Sequence, residues 1–307
     1  MQLIRDSSHI LPESIVTIGN FDGVHKGHQL LVNRLIDNAR ELNLPSVLLT
    51  FEPNPIEFFS PTHPPARLMR FFEKWHEIKK AGVDYFYCAR FNNALSKLSA
   101  HEFVKTILVD QLNAKKIIVG DDFRFGAKRL GDVELLRTLG KKYNFTVEAI
   151  LQLMHDELRI SSTRIRNALR QGDFKMVSSL TDRPFTLSGK VAYGNQIGRT
   201  LGFPTANIYL RRKAVPMMGI FIVLVNGLNN KILPGVASIG YRPTFEGKQI
   251  ILEVFLFDFD EIIYGRRITV EFLKKIRDEE KFKSIDQLVI QIRKDVEIAK
   301  YYFMCGD

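Results

Sequence analysis

The fold of the first half of the chain is indicated most clearly by Ile15-Val16-Thr17-Ile18-Gly19-Asn20-Phe21-Asp22-Gly23-Val24-His25-Lys26-Gly27-His28. Its apolar start predicts a short buried strand over Ile15–Gly19, and the glycines that follow predict a turn. Apolar residues then recur at helical spacing: Leu31, Leu35, Ala39 and Leu42. A strand, a turn and a helix in this order form the unit from which parallel α/β sheets are built.

The turn in this stretch has the composition of a phosphate-binding site. Backbone N–H groups at a helix N-terminus favour anions. His25 and His28 are three residues apart with Gly27 between them, so both imidazoles can donate hydrogen bonds to a phosphate without crowding it. The pattern is neither the lysine-containing P-loop nor the dinucleotide-binding glycine fingerprint. The alternative is a pair of surface histidines in an ordinary turn.

The same alternation of strands and helices continues through the first half. Further segments are predicted as a strand over Ser46–Phe51, a strand over Val83–Cys88, a strand over Lys116–Gly120, a helix over Val133–Tyr143 and a strand over Thr146–Leu151. This order predicts a parallel sheet covered on both faces, with ligands at the carboxyl ends of its strands.

The sequence changes character near residue 183. From Thr186 to Glu271 short apolar runs are divided by Gly and Pro, without a good helical pattern; examples are Ile220–Val225, Ile250–Phe257 and Arg267–Phe272. Tyr264-Gly265 predicts a hairpin between the last two runs. We therefore predict two domains, 1–182 and 183–307, the second an antiparallel barrel or sandwich. Ser284 and Gln287 then form a capping-box pattern that predicts a C-terminal helix.

Bulk properties exclude several classes of protein. The chain has 307 residues, 45% of them hydrophobic, which suits two folded domains. No apolar run is long enough to cross a membrane. The two cysteines cannot form a disulfide framework and fit a reducing compartment, so a cytoplasmic location is expected. The net charge of +10 is scattered along the chain, which favours a solvated basic surface or phosphate ligands over a nucleic-acid partner.

A second group of polar residues lies in the predicted barrel, in Gly198-Arg199-Thr200-Leu201-Gly202-Phe203-Pro204-Thr205-Ala206-Asn207. Thr205 and Asn207 offer neutral oxygens to Mg²⁺ on ATP, and the glycines let backbone approach phosphates. Further on, Glu253 is predicted to share a strand face with Phe255 and Phe257. A carboxylate in a row of aromatic residues is not explained by solvent exposure alone. The alternatives are a plain Gly/Pro-rich loop and a rim glutamate that faces solvent.

Several of these motifs together resemble known families. Residues 19–28 resemble the first signature of the HxGH nucleotidyltransferase superfamily, and Ile160–Arg166 is similar to its second signature in the flavin-adenylating form. The remaining motifs are similar to those of the bacterial bifunctional riboflavin kinase/FAD synthetases: Phe51–Pro55, Gly120–Gly126, Gly198–Asn207, Ile239–Phe245 and Leu252–Phe259. The resemblance covers nearly the whole chain, with its motifs in the family's order.

The resemblance implies a Rossmann-like α/β nucleotidyltransferase domain followed by an antiparallel β-barrel riboflavin kinase domain with a C-terminal helix. It implies that riboflavin is phosphorylated to FMN with ATP and Mg²⁺, and that FMN is then adenylylated to FAD. The catalytic residues that it implies are His25 and His28 in the first domain and Glu253 in the second.

The binding residues that it implies fall into three groups. ATP for adenylylation would be held by Gly19, Asn20, Phe21, His25, His28, Ser162, Thr163 and Arg166. The flavin of the first domain would be held by Phe51, Pro53, Asn54, Asp122, Phe123 and Phe125, with Phe51 and Phe125 as stacking partners. ATP and its metal in the kinase domain would be held by Gly198, Thr205 and Asn207.

The chain departs from the family's pattern at Asn54 and Phe255, where the family more often has histidine, and at Asp182–Phe185, where it often has a version with glycine and tyrosine. Asparagine can donate and accept hydrogen bonds but cannot become cationic, so Asn54 does not suit charge stabilisation.

Two other functions stay open: a nucleotidyltransferase whose barrel only binds flavin, and an RNA-binding barrel attached to a relic enzyme domain. Intact Thr205, Asn207 and Glu253 argue against the first of these.

Overall fold

The structure, a computed structural model, describes residues 1–5, 10–194, 197–210, 212–229, 231–244 and 247–306. At residues 197, 243, 244, 247 and 248 it describes the backbone alone. Of the predicted motif Ile239–Phe245, the last residue lies outside the described part. The chain divides into two compact units, Met1–Ser162 and Thr163–Asp307.

The first unit contains a six-stranded parallel sheet with the strand order β1-β4-β3-β2-β5-β6. Its strands are β1 (Gln2–Ile4), β2 (Ser14–Ile18), β3 (Ser46–Glu52), β4 (Tyr85–Arg90), β5 (Ala114–Gly120) and β6 (Thr146–Ile150). Every strand predicted from the sequence is present, and the parallel α/β fold is confirmed. The prediction missed β1, an edge strand too short to show a pattern, and the small hairpin of β7 (Met154–His155) and β8 (Leu158–Arg159).

Helices connect these strands and bury both faces of the sheet. They are α1 (Lys26–Glu41), α2 (Pro55–Phe59), α3 (Phe71–Ala81), α4 (Asn93–Lys97), α5 (Ala100–Phe103), a π-helical segment (Val104–Gln111), a 3₁₀ turn (Ala127–Arg129) and α6 (Val133–Tyr143). One apolar cluster contains Val16 and Ile117, and the other contains Ile15 and Ile118. Because neighbouring residues of β2 and β5 enter opposite clusters, both faces are covered, as a parallel sheet requires.

The second unit contains a closed antiparallel barrel with the strand order β10-β13-β12-β11-β14-β9. Its strands are β9 (Thr186–Ala192), β10 (Thr205–Tyr209), β11 (Gly219–Leu228), β12 (Lys231–Thr244), β13 (Gly247–Leu256) and β14 (Arg267–Arg277). A one-turn helix, α9 (Ile197–Thr200), precedes β10. Alternate residues fill the interior; Ile208, Leu252, Val254 and Ile268 are fully buried there. The predicted barrel is confirmed, and the alternative of a sandwich is excluded.

The predicted hairpin at Tyr264-Gly265 is wrong. Strand β13 pairs with β10 and β12, whereas β14 pairs with β11 and β9. Gly265 does form a turn, with φ +80°, but its N–H donates to the carbonyl of Val191 at the end of β9. A turn motif in the sequence indicates that the chain reverses there. It does not indicate which strand the next strand pairs with, because that depends on how the barrel closes.

Besides α9, the barrel is accompanied by α7 (Ser162–Gln171), α8 (Phe174–Thr181) and α10 (Ile285–Cys305). Phe174 of α8 packs against Phe221 and Phe272 of the barrel at ring distances of 5.9 Å. The compact units therefore divide at Ser162, and the boundary near residue 183 stays a prediction about which part of the chain carries each activity. No helix in the described residues is long and apolar enough to cross a membrane.

The C-terminal helix is capped as expected. The Ser284 side chain accepts a hydrogen bond from the N–H of Gln287 at 3.3 Å. The Gln287 side chain accepts from the N–H of Lys283, one residue before the position that a full capping box uses.

Candidate active sites

The predicted adenylylation residues of the first unit gather at one edge of its sheet. In a parallel sheet the carboxyl ends of all strands meet at the same edge, and β3, β2 and β5 are neighbours there. The turn after β2 carries the two histidines, the end of β3 carries Phe51, and the turn after β5 carries Asp122. The chain order reverses between β2 and β5, which is where α/β sheets bind ligands.

His25 and His28 are placed face to face at the start of α1. Their rings are stacked with centroids 3.6 Å apart, and His25 is buried. His25 is the N-cap of α1, and its Nδ1 accepts a hydrogen bond from the backbone N–H of His28 at 3.3 Å. In the neutral ring the proton therefore lies on Nε2, which becomes a donor. A Cβ on Gly27 would lie 3.3 Å from the His25 ring, so glycine at this position avoids a close contact with that ring.

The turn that carries the histidines is held in an uncommon backbone conformation. Phe21 has φ +48° and Val24 has φ +39°, values that are costly for a β-branched residue such as valine. The Asp22 carboxylate fixes the turn by accepting hydrogen bonds from the N–H groups of Leu68 and Met69, both at 3.0–3.2 Å. Backbone strain that is held by buried contacts is typical of functional sites.

The second predicted signature reaches this turn through its second serine. The hydroxyl of Ser162, the first residue of α7, donates to the carbonyl of Asp22 at 2.8 Å. Thr163 and Arg166 follow in the first two turns of the same helix and belong to the second unit. Thr163 is exposed and Arg166 is half-buried. Their contact with a pyrophosphate stays a prediction.

The predicted flavin residues lie in a row of aromatic rings. Phe51 and Phe125 both contact Phe103, at ring distances of 6.4 Å and 5.8 Å. Phe123 stacks on Phe125 with centroids 5.5 Å apart. Phe125 is buried and Phe123 is half-buried, so Phe123 presents the more accessible ring. The row extends beyond Phe51 through rings that the sequence did not predict as part of the site: Phe58, Phe59 and Phe91.

Two polar residues of the predicted flavin site have partners of their own. Pro53 leads from β3 into α2, and Asn54 caps that helix through its Oδ1, which accepts from the N–H of Ile56 at 3.0 Å. Asp122 is exposed and forms an ion pair with Arg159 at 2.6 Å. The departure from the family's pattern at Asn54 therefore has a local physical role, because asparagine is among the best N-cap residues.

We expect Asn54→His to change the rate of FMN adenylylation by less than about tenfold, which is about 1.4 kcal/mol. The hydrogen-bond capacity of the side chain is largely kept, whereas its cap on the short helix α2 is weakened. Steady-state rates with FMN and ATP would measure the effect. Asn92→His, which changes the side-chain cap of α4, is the control for loss of a cap alone. A much larger gain in rate would mean that the natural residue weakens the reaction.

Lys74, which was not predicted from the sequence as part of the site, is a buried cation beneath the histidine turn. Its Nζ donates to the carbonyl of Asn20 at 2.8 Å and to the Thr50 hydroxyl at 3.3 Å. Burial lowers the pKa of Lys74, while the charge of Asp22 opposes that shift. A signal was present: Phe71, Trp75 and Ile78 form an apolar helical stripe, and a lysine at position 74 interrupts it.

In the second unit the predicted kinase residues share one outer face of the barrel. Asn207 of β10 and Glu253 of β13 are directly opposite each other in the strand register, and Thr205 is opposite Phe255. These residues are half-buried, whereas Ala206 and Val254 between them point into the interior. Side chains opposite each other on neighbouring strands have Cβ atoms about 5 Å apart, so a metal-bound phosphate and a base can act on one substrate here.

Two glycines leave room beside these polar side chains. A Cβ on Gly194 would overlap the amide of Asn207, and a Cβ on Gly198 would overlap the carbonyl of Phe203. Gly198 accepts hydrogen bonds from the N–H groups of Leu201 and Phe203, which closes a tight turn before β10. Backbone can therefore approach a ligand beside Thr205 more closely than any larger residue would permit.

The residues present fit a magnesium ion that is shared with a phosphate. Thr205 and Asn207 are alternate residues of β10, so their neutral oxygens face the same side. Mg²⁺ typically takes few protein ligands and keeps water and phosphate oxygens. Within the described ranges, no group of three or more His, Cys, Asp or Glu side chains is placed to hold a metal by itself.

Two family models match the chain, one in each half. A model described as FAD synthetase matches residues 7–164, and a model described as riboflavin kinase matches residues 181–303. Together they cover both groups of residues described above except Arg166, which lies between the two matched ranges.

Similar proteins match over almost the full length. A Haemophilus influenzae protein named bifunctional riboflavin kinase/FMN adenylyltransferase is 45% identical over 306 residues, with 99% of each chain covered. An Escherichia coli protein of the same name is 45% identical over 307 residues, covering 99% of this chain and 98% of that one. A solved Streptococcus pneumoniae structure, described as a macrolide-efflux protein, is 35% identical with a TM-score of 0.81, covering 97% of this chain and 98% of that one.

Proposed function

This chain belongs to the family of bifunctional riboflavin kinase/FMN adenylyltransferases, and on that premise we propose that its two sites carry out the family's two reactions in succession. The enzyme phosphorylates riboflavin to FMN and adenylylates FMN to FAD. The proposal assigns the first reaction to the barrel and the second to the sheet edge with the two histidines. The observation that carries it is that His25 and His28 lie in one compact unit, whereas Thr205, Asn207 and Glu253 lie in the other.

In the kinase reaction, Glu253 accepts the proton of the riboflavin 5′-hydroxyl. The oxygen attacks the γ-phosphorus of ATP, the bond to the oxygen between the β- and γ-phosphates breaks, and ADP leaves. Asn207, directly across from Glu253, and Thr205 on the same face bind the ATP phosphates. Gly198 lets backbone approach them. Phosphoryl transfer depends mainly on positioning and charge neutralisation, which this arrangement supports.

Mg²⁺ would be held by Thr205 and Asn207 in the kinase site. When bound, it neutralises negative charge on the phosphates. The donor chemistry of these two side chains supports this assignment.

In the adenylylation reaction, a phosphate oxygen of FMN attacks the α-phosphorus of a second ATP, and pyrophosphate leaves. The FMN phosphate is ionised at neutral pH, so no general base is needed. His25 and His28 donate hydrogen bonds to the charge that develops on the α-phosphate, assisted by the N-terminus of α1. ATP also binds against the turn formed by Gly19, Asn20 and Phe21.

We also propose which residues bind the departing pyrophosphate and which bind the flavin ring. Ser162, Thr163 and Arg166 hold the departing pyrophosphate, with the hydroxyl contact of Ser162 to the turn as support. The flavin ring lies against the aromatic row of the sheet edge. Its proposed contacts are Phe51, Pro53, Asn54, Asp122, Phe123 and Phe125.

Partners and location follow from this chemistry. We propose riboflavin, FMN and ATP as the small-molecule partners, with neither nucleic acid nor a membrane taking part. A cytoplasmic location is proposed as well, because ATP is used twice and because Cys88 and Cys305 are free thiols.

Incubation of the protein with riboflavin, ATP and Mg²⁺ tests the proposal directly. Chromatography is expected to show FMN first and FAD later. Excess EDTA is expected to stop both reactions, because both handle the charge of ATP phosphates. The control is excess Mg²⁺ added after EDTA, which should restore both products. Full activity without a divalent ion would contradict both mechanisms.

A further inference from the structure

One short stretch of the first unit, residues 67–74, contacts both regions to which the proposed function assigns a substrate of adenylylation. It runs from the loop between α2 and α3 into the first turn of α3, and we call it the support segment. At one end Arg67 contacts the flavin loop, residues 52–57. At the other end Lys74 contacts the histidine turn, residues 19–28.

Arg67 bridges the two ends of the flavin loop. Its Nε and Nη2 donate to the Glu57 carboxylate at 2.6 and 2.5 Å, and its Nη2 and Nη1 donate to the Glu52 carboxylate at 2.6 and 3.3 Å. Glu52 ends β3 and Glu57 lies in α2, on either side of Pro53 and Asn54. A planar guanidinium that is paired with carboxylates fixes geometry as well as charge. The bridge therefore restricts the positions that Pro53 and Asn54 can take.

The middle of the support segment is joined to the histidine turn. The N–H groups of Leu68 and Met69 donate to Oδ1 of Asp22 at 3.0 and 3.1 Å. A Cβ on Gly23 would lie 2.7 Å from Cδ1 of Leu68, so the turn approaches the segment as closely as glycine permits. A shift of the support segment would therefore move the turn with it.

Lys74 supports the same turn through the backbone carbonyl of Asn20. The lysine side chain is buried, and its Nζ donates to this carbonyl at 2.8 Å. The buried Thr50 hydroxyl of β3 accepts from Nζ at 3.3 Å and donates to the same carbonyl at 3.4 Å. A buried polar group that loses its partner is costly, so these bonds hold the turn, β3 and α3 together.

We propose that the support segment positions both substrates of adenylylation, with Arg67 as a positioning residue for FMN and Lys74 as a positioning residue for ATP. The proposal rests on the assignment of adenylylation to the first unit. Arg67 acts through the flavin loop, and Lys74 acts through the turn at Asn20. Because both side chains belong to one continuous stretch that is also joined to Asp22, the two substrate regions are held in a fixed relation to each other.

The Michaelis constants of adenylylation test this division. Lys74→Met removes the donor to Asn20 and should raise KM for ATP about fivefold to tenfold, with KM for FMN unchanged. Arg67→Met removes the bridge and should raise KM for FMN by a similar factor, with KM for ATP unchanged. In both variants kcat should change little, because a contact that positions a substrate alike before and during the reaction affects KM.

Two milder variants make the same test if either methionine variant fails to fold. Thr50→Val removes the second donor to the Asn20 carbonyl and should raise KM for ATP by a smaller factor. Glu57→Gln weakens one half of the Arg67 bridge and should raise KM for FMN by a smaller factor. Each keeps the size of the side chain that it replaces.

Matched controls separate positioning from a general loss of structure. Lys80→Met on α3 and Arg137→Met on α6 remove exposed cations that also pair with a glutamate of their own helix, and both should leave the two constants unchanged. Circular dichroism of each variant reports the fold. A merely structural defect would lower the folded fraction, and with it the rate per total protein, without changing either KM.

The outcomes distinguish this inference from the function on which it rests. Well-folded variants in which neither KM changes, in which both constants rise alike, or in which each variant affects the other substrate would overturn the positioning roles. If the unaltered protein formed no FAD from FMN, ATP and Mg²⁺, the assignment of adenylylation itself would be overturned.

Discussion

Replacing His28 by alanine is expected to lower the rate of FMN adenylylation about 10²–10³-fold, the usual cost of losing one donor that stabilises developing charge. Riboflavin phosphorylation should stay near normal, so FMN accumulates. The fold should tolerate the change, because the hydrogen bond that caps α1 runs from the backbone N–H of residue 28 to His25. Alanine keeps this donor. Separate assays with riboflavin and with FMN would measure the two rates.

His76→Ala is the matched control, since His76 is exposed on α3 of the same unit. It should leave both reactions unchanged. Circular dichroism of each variant would show whether the fold is intact. If well-folded His28→Ala lost phosphorylation and kept adenylylation, the assignment of the histidines would be wrong.

Replacing Glu253 by glutamine is expected to have the converse effect on the two reactions. The amide keeps the size of the side chain but cannot accept a proton, and loss of a positioned general base costs about 10²–10⁴-fold. Riboflavin should persist, while added FMN should still become FAD. This variant also tests the alternative in which the barrel only binds flavin, because that alternative predicts no loss.

Glu297→Gln serves as the control for Glu253→Gln, since it removes one exposed carboxylate of the same unit. Fluorescence quenching of riboflavin would show that the variant still binds its substrate. Loss of adenylylation alone in Glu253→Gln would place the chemistry of the barrel in doubt.

The sequence predicted the layers of the fold well, because their signals are local. The apolar run at Ile15 and the matched run at Ser46 became the adjacent strands β2 and β3, and helix α6 has the predicted bounds. The wrong hairpin at Tyr264-Gly265 and the missed strand β1 have another cause. Which strand lies beside another depends on contacts between distant parts of the chain, and a three-residue strand has too few positions to show a period.

The sequence predicted which residues belong to each candidate site, but it did not predict the contacts between those residues. The opposition of Asn207 and Glu253 depends on the register of β10 and β13, which no local pattern specifies. Lys74 interrupts an apolar helical stripe, which is a local signal, but its partners Asn20 and Thr50 are distant in the sequence, so its place in the site could not be predicted.

Mixing two defective variants tests whether two separate sites perform the two reactions. His28→Ala alone should convert riboflavin to FMN and stop there, and Glu253→Gln alone should leave riboflavin unchanged. Mixed together with riboflavin, ATP and Mg²⁺, they should form FAD, because FMN made by one protein is the substrate of the other. A mixture that forms no more FAD than either variant alone, with both proteins folded, would contradict the account.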